Sequence, residues 1–108
     1  MSFRVFTTEA FNKDFKNLTK DEQVRIKNIR DKQLKNSPYV GKPLNYTWFR
    51  EKKIAGKRLY FLIYDDLCAV LIVAWSDKKT QQATINSIKL ALDFYKEDVR
   101  KQLSRSIQ

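Results

Sequence analysis

The densest run of groups able to meet a phosphate lies near the middle of the chain: Arg50-Glu51-Lys52-Lys53-Ile54-Ala55-Gly56-Lys57-Arg58-Leu59-Tyr60. Reading Ala55-Gly56 as a two-residue hairpin turn sets Ile54 opposite Lys57 and Lys53 opposite Arg58. Glu51 then faces Tyr60, and Phe49 faces Leu62. Like charges directly opposed on one face are unfavourable unless a phosphate, a carboxylate or solvent screens them. A site made for phosphate accepts that cost. A one-residue slip in the hairpin would set Lys52 beside Arg58 instead, so both lysines are candidates while the arginine is fixed. Each lysine also reads as an ordinary solvated sheet edge. Arg58 differs, because it stands in an otherwise apolar strand where a charge needs a partner.

A second cationic group, Lys78-Lys79, follows the last apolar strand in Ser76-Asp77-Lys78-Lys79. Arg50, Lys57 and Lys78 can add contacts to a nucleic-acid backbone, and Tyr60, Tyr64 and Trp75 carry rings that can stack on bases. The bland reading of those rings is core packing. RNA is cleaved when its 2′-hydroxyl attacks the adjacent phosphate, and Lys and Arg can orient that attack and neutralise the phosphate. Proton transfer is harder to supply. The chain has no His, which leaves a lysine of lowered pKa, Glu51 or a tyrosine. Carboxylates near the hairpin are few, so metal-dependent hydrolysis is not expected, and no cofactor is implied.

The elements that must position these groups fit one domain spanning residues 1–108. Seven Phe and two Trp among 43% apolar residues argue against disorder. The formal charge is +10, and it is uneven: Lys20 to Arg58 holds twelve basic and four acidic residues, a net +8. Such a field favours RNA, DNA or an acidic protein, or serves only to solubilise the surface. A single cysteine, Cys68, excludes an intrachain disulfide and a cysteine-rich zinc site. The longest apolar stretch, Cys68 to Trp75, is too short to span a bilayer, so the expectation is a cytoplasmic protein with no membrane partner.

Phe3 to Phe6 suits a first strand. Thr7 or Thr8 can cap a helix carrying Phe11, Phe15 and Leu18, and Thr19 with Glu22 fits a capping box for a second helix reaching Asn36. Tyr39 to Thr47 reads as a turn-rich connector, followed by strands over Trp48–Ile54, Lys57–Tyr64 and Cys68–Trp75. Leu59, Phe61 and Ile63 alternate with Arg58, Tyr60, Leu62 and Tyr64, which suits a central strand covered on one side by helices. Ser76 or Asp77 can cap a last helix, where Ile85, Ile88, Leu92, Tyr95, Val99 and Leu103 form one apolar stripe. A straight helix from Thr80 to Leu103 would be roughly 36 Å long. It either overhangs the body or packs along its whole length.

This order resembles the RelE/ParE superfamily of toxin–antitoxin toxins, particularly its archaeal RelE-like members. The resemblance is carried by Asn36-Ser37-Pro38-Tyr39-Val40-Gly41-Lys42-Pro43-Leu44, by Trp48, by Ala55-Gly56-Lys57-Arg58-Leu59-Tyr60, by Asp65-Asp66 and by Ser76-Asp77-Lys78-Lys79. It implies an α+β fold, an antiparallel sheet with an N-terminal helical hairpin and a long C-terminal helix. It also implies a ribosome-dependent endonuclease that cleaves messenger RNA in the A site by 2′-hydroxyl attack, neutralised by a cognate antitoxin. Under that resemblance Arg58 contacts the scissile phosphate, Lys52 or Lys53 orients or deprotonates the attacking hydroxyl, and Lys79 stabilises the leaving group. The family's strand lysines fall without gaps on Glu51 and Phe49, and with a one-residue shift on Lys52 and Arg50. The tyrosine expected early in the last helix falls on Ile85. Two other classes stay open: a ParE-like inhibitor of DNA gyrase, and a noncatalytic RNA- or ribosome-binding module. The antitoxin is expected to have acidic and amphipathic segments that cover the basic sheet face or displace the last helix.

Overall fold

The computed structural model describes residues 2–107. Strand β1 (Arg4–Thr7) leads into helices α1 (Glu9–Lys16) and α2 (Lys20–Ile29), the latter extended by a π-helical turn over Arg30–Leu34. Strands β2 (Lys42–Leu44), β3 (Tyr46–Ile54), β4 (Lys57–Tyr64) and β5 (Ala69–Ser76) follow, then helices α3 (Gln81–Leu90) and α4 (Leu92–Ile107). The five strands form one sheet in the order β1-β5-β4-β3-β2. Strands β2 to β5 pair antiparallel, as expected of a meander. β1 instead runs parallel to β5, because α1 and α2 carry the chain from one edge of the sheet to the other before the meander returns.

Local chemistry explains the element ends. Thr8 caps α1 by accepting the Phe11 N–H at 3.0 Å, satisfying one of the donors that a helix start leaves unpaired. Thr19 and Glu22 form the reciprocal capping box on α2, at 3.0 and 3.1 Å, as their spacing predicts. In the π-helical turn the Lys35 N–H reaches back to the Arg30 carbonyl, and the widened turn brings Leu34 into the core with no exposed surface. The connector read from the sequence as turns contains the three-residue edge strand β2. Pro43 obscures it in the sequence and is tolerated because the strand lies at the sheet edge.

Alternation on β4 divides the interior into two cores, one on each side of the sheet. Leu59, Phe61 and Ile63 meet Phe11, Ile26 and Leu34 beneath α1 and α2. Tyr60 and Leu62 meet Phe49, Leu71, Ile85 and Ile88 beneath α3 and α4. The central strand is therefore covered on both sides, where the sequence reading placed helices on one.

The expected long C-terminal helix breaks at Ala91, whose backbone (φ −113°, ψ 17°) is not helical. A straight helix of roughly 36 Å would exceed two of the three extents of the molecule, 38 × 28 × 24 Å. The break lets α4 change direction while keeping its stripe on the body: Val99 is fully buried, and Gln102 donates to the Thr7 carbonyl at 2.9 Å. The stripe thus packs against the body. Leu90, 91% exposed, and Phe94, 67% exposed, are left on the outside of the bend.

Candidate nucleic-acid interface

The hairpin between β3 and β4 turns through Ala55 and Gly56, both with positive φ (50° and 82°). A two-residue turn of the primed type requires this. Its register is Ile54 with Lys57, Lys53 with Arg58, Lys52 with Leu59 and Glu51 with Tyr60. This fixes which lysine accompanies Arg58. Lys53 is directly opposite on the same face and exposed, whereas Lys52, one residue away on the strand, points to the face of α1 and α2.

On its other side Arg58 pairs with Ser76 of β5. A bulge helps set this alignment. Tyr60 pairs with Ala74 but Phe61 pairs with Ile72, so β5 carries one extra residue, Val73. Arg58, 6% exposed, and Glu51, equally buried, are diagonal neighbours on this face. Arg58 Nη1 donates to the Gly56 carbonyl at 3.1 Å, which braces the guanidinium against its own hairpin. Its Nε lies 3.8 Å from Glu51 Oε1 and has no hydrogen-bond partner. That separation is within ion-pair range but beyond hydrogen-bonding range. Glu51 Oε1 instead accepts from Gln81 Nε2 of α3 at 2.6 Å.

Tyr60 completes the cluster. Its hydroxyl is 2.8 Å from Ser76 Oγ, which donates to the Asp77 carbonyl at 3.0 Å. Burial pushes the Tyr60 phenol above its ordinary pKa, the Ser76 bond opposes that shift, and the Glu51 carboxylate adds to it. Its ring is fully buried, so its face is not offered to a base. The arrangement places a buried guanidinium with unused hydrogen-bonding capacity beside an exposed lysine, on a floor of hydroxyl and amide groups. Such a set can hold and neutralise an oxyanion.

The other sequence candidates separate. Lys78 and Lys79 are exposed at the β5–α3 junction, directly after Arg58's neighbour Ser76. Asp77 does not cap α3: its Oδ1 accepts from the Thr80 N–H at 2.9 Å and the Thr80 hydroxyl at 3.0 Å. These bonds hold its carboxyl below the ordinary range. Thr80 occupies the N-cap and makes no side-chain cap bond. Lys57 is drawn to Glu22 of α2 at 3.0 Å. Arg50 points the other way, donating to the carbonyls of Val40, Thr47 and Gly41 at 3.1 Å each, with its guanidinium over the Tyr39 ring. Its place is in tethering the connector. The sequence offers Glu51 as a proton-transfer group and Ser76 as a cap of the last helix; the structure brings both beside Arg58, and Ser76 does not cap α3. Gln81 gave no sequence signal, because its contact spans thirty residues.

Among the described residues no group of three or more carboxylate, thiol or imidazole side chains could hold a metal ion, and no helix is long and apolar enough to cross a membrane.

No protein-family model matches the chain, and no curated protein matches it. Solved structures do. A chain of the toxin–antitoxin complex RelBE2 from Mycobacterium tuberculosis is 21% identical, with 72% of this chain and all of that one covered at a TM-score of 0.64. The isolated RelE toxin of E. coli is 16% identical over 81% of this chain and 99% of its own, at a TM-score of 0.63. The archaeal RelE–RelB complex from Pyrococcus horikoshii OT3 gives 15%, 72% and 97%, at a TM-score of 0.57. The chain therefore has the α+β fold of RelE-type toxins. The likeness spans bacterial and archaeal structures and does not single out the archaeal ones.

Proposed function

We propose that the protein is a RelE-like toxin that cleaves messenger RNA in the ribosomal A site by attack of a 2′-hydroxyl on the adjacent phosphate. The observation that carries this reading is Arg58: a braced, buried guanidinium with an Nε lacking a hydrogen-bond partner, directly opposite Lys53 on one face of a RelE-type sheet. In this reading Arg58 neutralises the scissile phosphate. Lys53, favoured over Lys52 by its face, orients the attacking hydroxyl and adds positive charge beside the phosphate, and the proton of the hydroxyl passes to water. The bond from phosphorus to the 5′-oxygen breaks as the 2′-oxygen bonds to phosphorus, and Lys79 stabilises the departing oxygen.

The partner in this reading is an antitoxin with acidic and amphipathic segments. The basic hairpin and the exposed Leu90 and Phe94 support it, because they offer charge and apolar surface to such a chain. The similar RelBE2 structure and that of intact E. coli RelBE are themselves toxin–antitoxin complexes.

The test is mapping of messenger-RNA 5′ ends on translating ribosomes with the purified protein and a folded Arg58→Ala variant. Cuts at A-site codons that vanish in the variant are expected. Intact RNA with the native protein would remove the cleavage reading. One observation favours a second reading, RNA or ribosome binding without cleavage: Ile85, where the resemblance calls for tyrosine, is buried in the α3 core and brings no hydroxyl. Tight ribosome binding with no new 5′ ends would select it.

A further inference from the structure

The polar cluster contains an arrangement that a plain ion pair would not produce. Glu51 and Arg58 are buried on the same face, yet they do not hydrogen-bond. The carboxylate oxygen nearest Arg58, Oε1, accepts a short bond from Gln81 Nε2 at 2.6 Å, while Arg58 Nε is 3.8 Å away and without a hydrogen-bond partner. A buried guanidinium N–H left unpaired beside a carboxylate is costly, and closing the pair would relieve that cost. Gln81 stands against that closure. It enters from α3, whose first residue it is, and the turn before it is fixed by Asp77 and Thr80.

We propose that Gln81 is a positioning residue that holds Glu51 off Arg58, keeping the arginine's charge available to an oxyanion from outside. The inference deepens the reading of Arg58 as the phosphate-binding group and rests on it. Without the amide, Glu51 closes onto Arg58 as a charge-assisted hydrogen-bonded pair, and the external anion must displace a resident carboxylate. With the amide, Glu51 lowers the cost of burying Arg58 in the free protein without occupying its donor. Tyr60 also bonds the Glu51 carboxylate, but its hydroxyl is shared with Ser76, which donates onward to the Asp77 carbonyl, whereas Gln81 holds Oε1, the oxygen nearest Arg58. Lys53, opposite Arg58, is itself a cation and provides no acceptor.

Two measurements on the full chain test this. The first needs no RNA: nuclear magnetic resonance of the Arg58 Nε–H. In Gln81→Ala that resonance should move and exchange more slowly with water, as Glu51 supplies the missing acceptor. The added change Glu51→Gln should reverse the shift. The second is the affinity for a labelled single-stranded RNA dodecamer at fixed salt. Gln81→Ala should bind roughly tenfold more weakly, the worth of one charge-assisted contact. Glu51→Gln should bind more tightly than the native chain, and the double variant should recover what Gln81→Ala loses. Recovery by Glu51→Gln separates positioning from a general loss of structure, which a second substitution would not repair.

An unmoved Arg58 resonance in Gln81→Ala, or RNA binding unchanged or tighter in that variant, overturns the proposal. Tighter binding would make α3 a cover over Arg58. The underlying reading has its own control. If Arg58→Ala binds the dodecamer as the native chain does, the assignment of Arg58 fails. If Arg58→Ala loses binding while Gln81→Ala does not, only the role of Gln81 fails.

Discussion

On the face of β4 that meets the helical hairpin, Leu59, Phe61 and Ile63 are buried in one apolar cluster with Phe11, Ile26 and Leu34, and the half-buried Lys52 and Arg50 flank it on β3. On the opposite face Tyr60 and Leu62 are buried as deeply, but toward the turn the company changes to Arg58, Glu51, Ser76 and Gln81. Apolar burial on the first face stabilises the fold by area alone, about 25 cal/mol per Å² removed from water. The second face gives up part of that gain. It desolvates a guanidinium and a carboxylate, leaves them short of a hydrogen bond, and recovers only part of the cost through their attraction. The difference shows where this sheet is built for stability and where it is built for a ligand.

The largest effect should come from the apolar face. Phe61→Ala removes a fully buried ring and should cost about 3–5 kcal/mol in urea unfolding. A loss below about 1 kcal/mol would mean that this core is not what holds the sheet. The adjacent residue makes the contrast sharp. Tyr60→Phe, on the other face, deletes only a hydroxyl, bonded to Ser76 and to Glu51, and should cost about 1–2 kcal/mol. Equal losses at the two positions would break the comparison. At the turn joining β3 and β4, Ala55 has φ 50°. Glycine adopts that conformation more readily than alanine. Ala55→Gly should therefore stabilise by roughly 0.5–1 kcal/mol, read as a raised urea midpoint with an unchanged slope.

The smallest effect concerns pH and the anchoring of the hairpin tip. The backbone bond from Thr19, then the bond from Lys57, holds the Glu22 carboxyl below its ordinary value of 4.5. A depressed folded-state pKa means stability that is present above that value and lost as pH falls through the lower, folded one. The native chain should accordingly be more stable than Glu22→Gln near neutrality, and the gap should close on acidification. A gap that stays constant with pH would show that the charge of Glu22 plays no part.

Much of this was legible in the residues. Caps, strand spans and hairpin register rest on local chemistry, and Thr19, Glu22, Ala55 and Gly56 display it directly. The register alone predicts Lys53 opposite Arg58. What was hidden depends on contacts distant in sequence. The stripe from Ile85 to Leu103 has unbroken helical periodicity, and no proline or glycine announces the break at Ala91. The parallel placement of β1 follows from the path of α1 and α2, which no strand pattern encodes. Arg50, read as cationic surface, turns out to be spent on three backbone carbonyls of a connector whose shape the sequence does not show. For the Arg58 cluster, residue types suggested an anion site but could not reveal that a glutamine from α3 would arrive there.

Gly41 shows how far that site extends. It lies in the connector with φ 76°, and a Cβ there would overlap the Glu51 carbonyl on β3. Any other residue at 41 must push the backbone from which the Glu51 carboxylate hangs. In a genetic screen for loss of activity, lesions at this outlying loop should group with lesions at Arg58, though the two residues share neither chemistry nor neighbourhood in the sequence. The inheritance of the site thus includes a position whose contribution is to have no side chain.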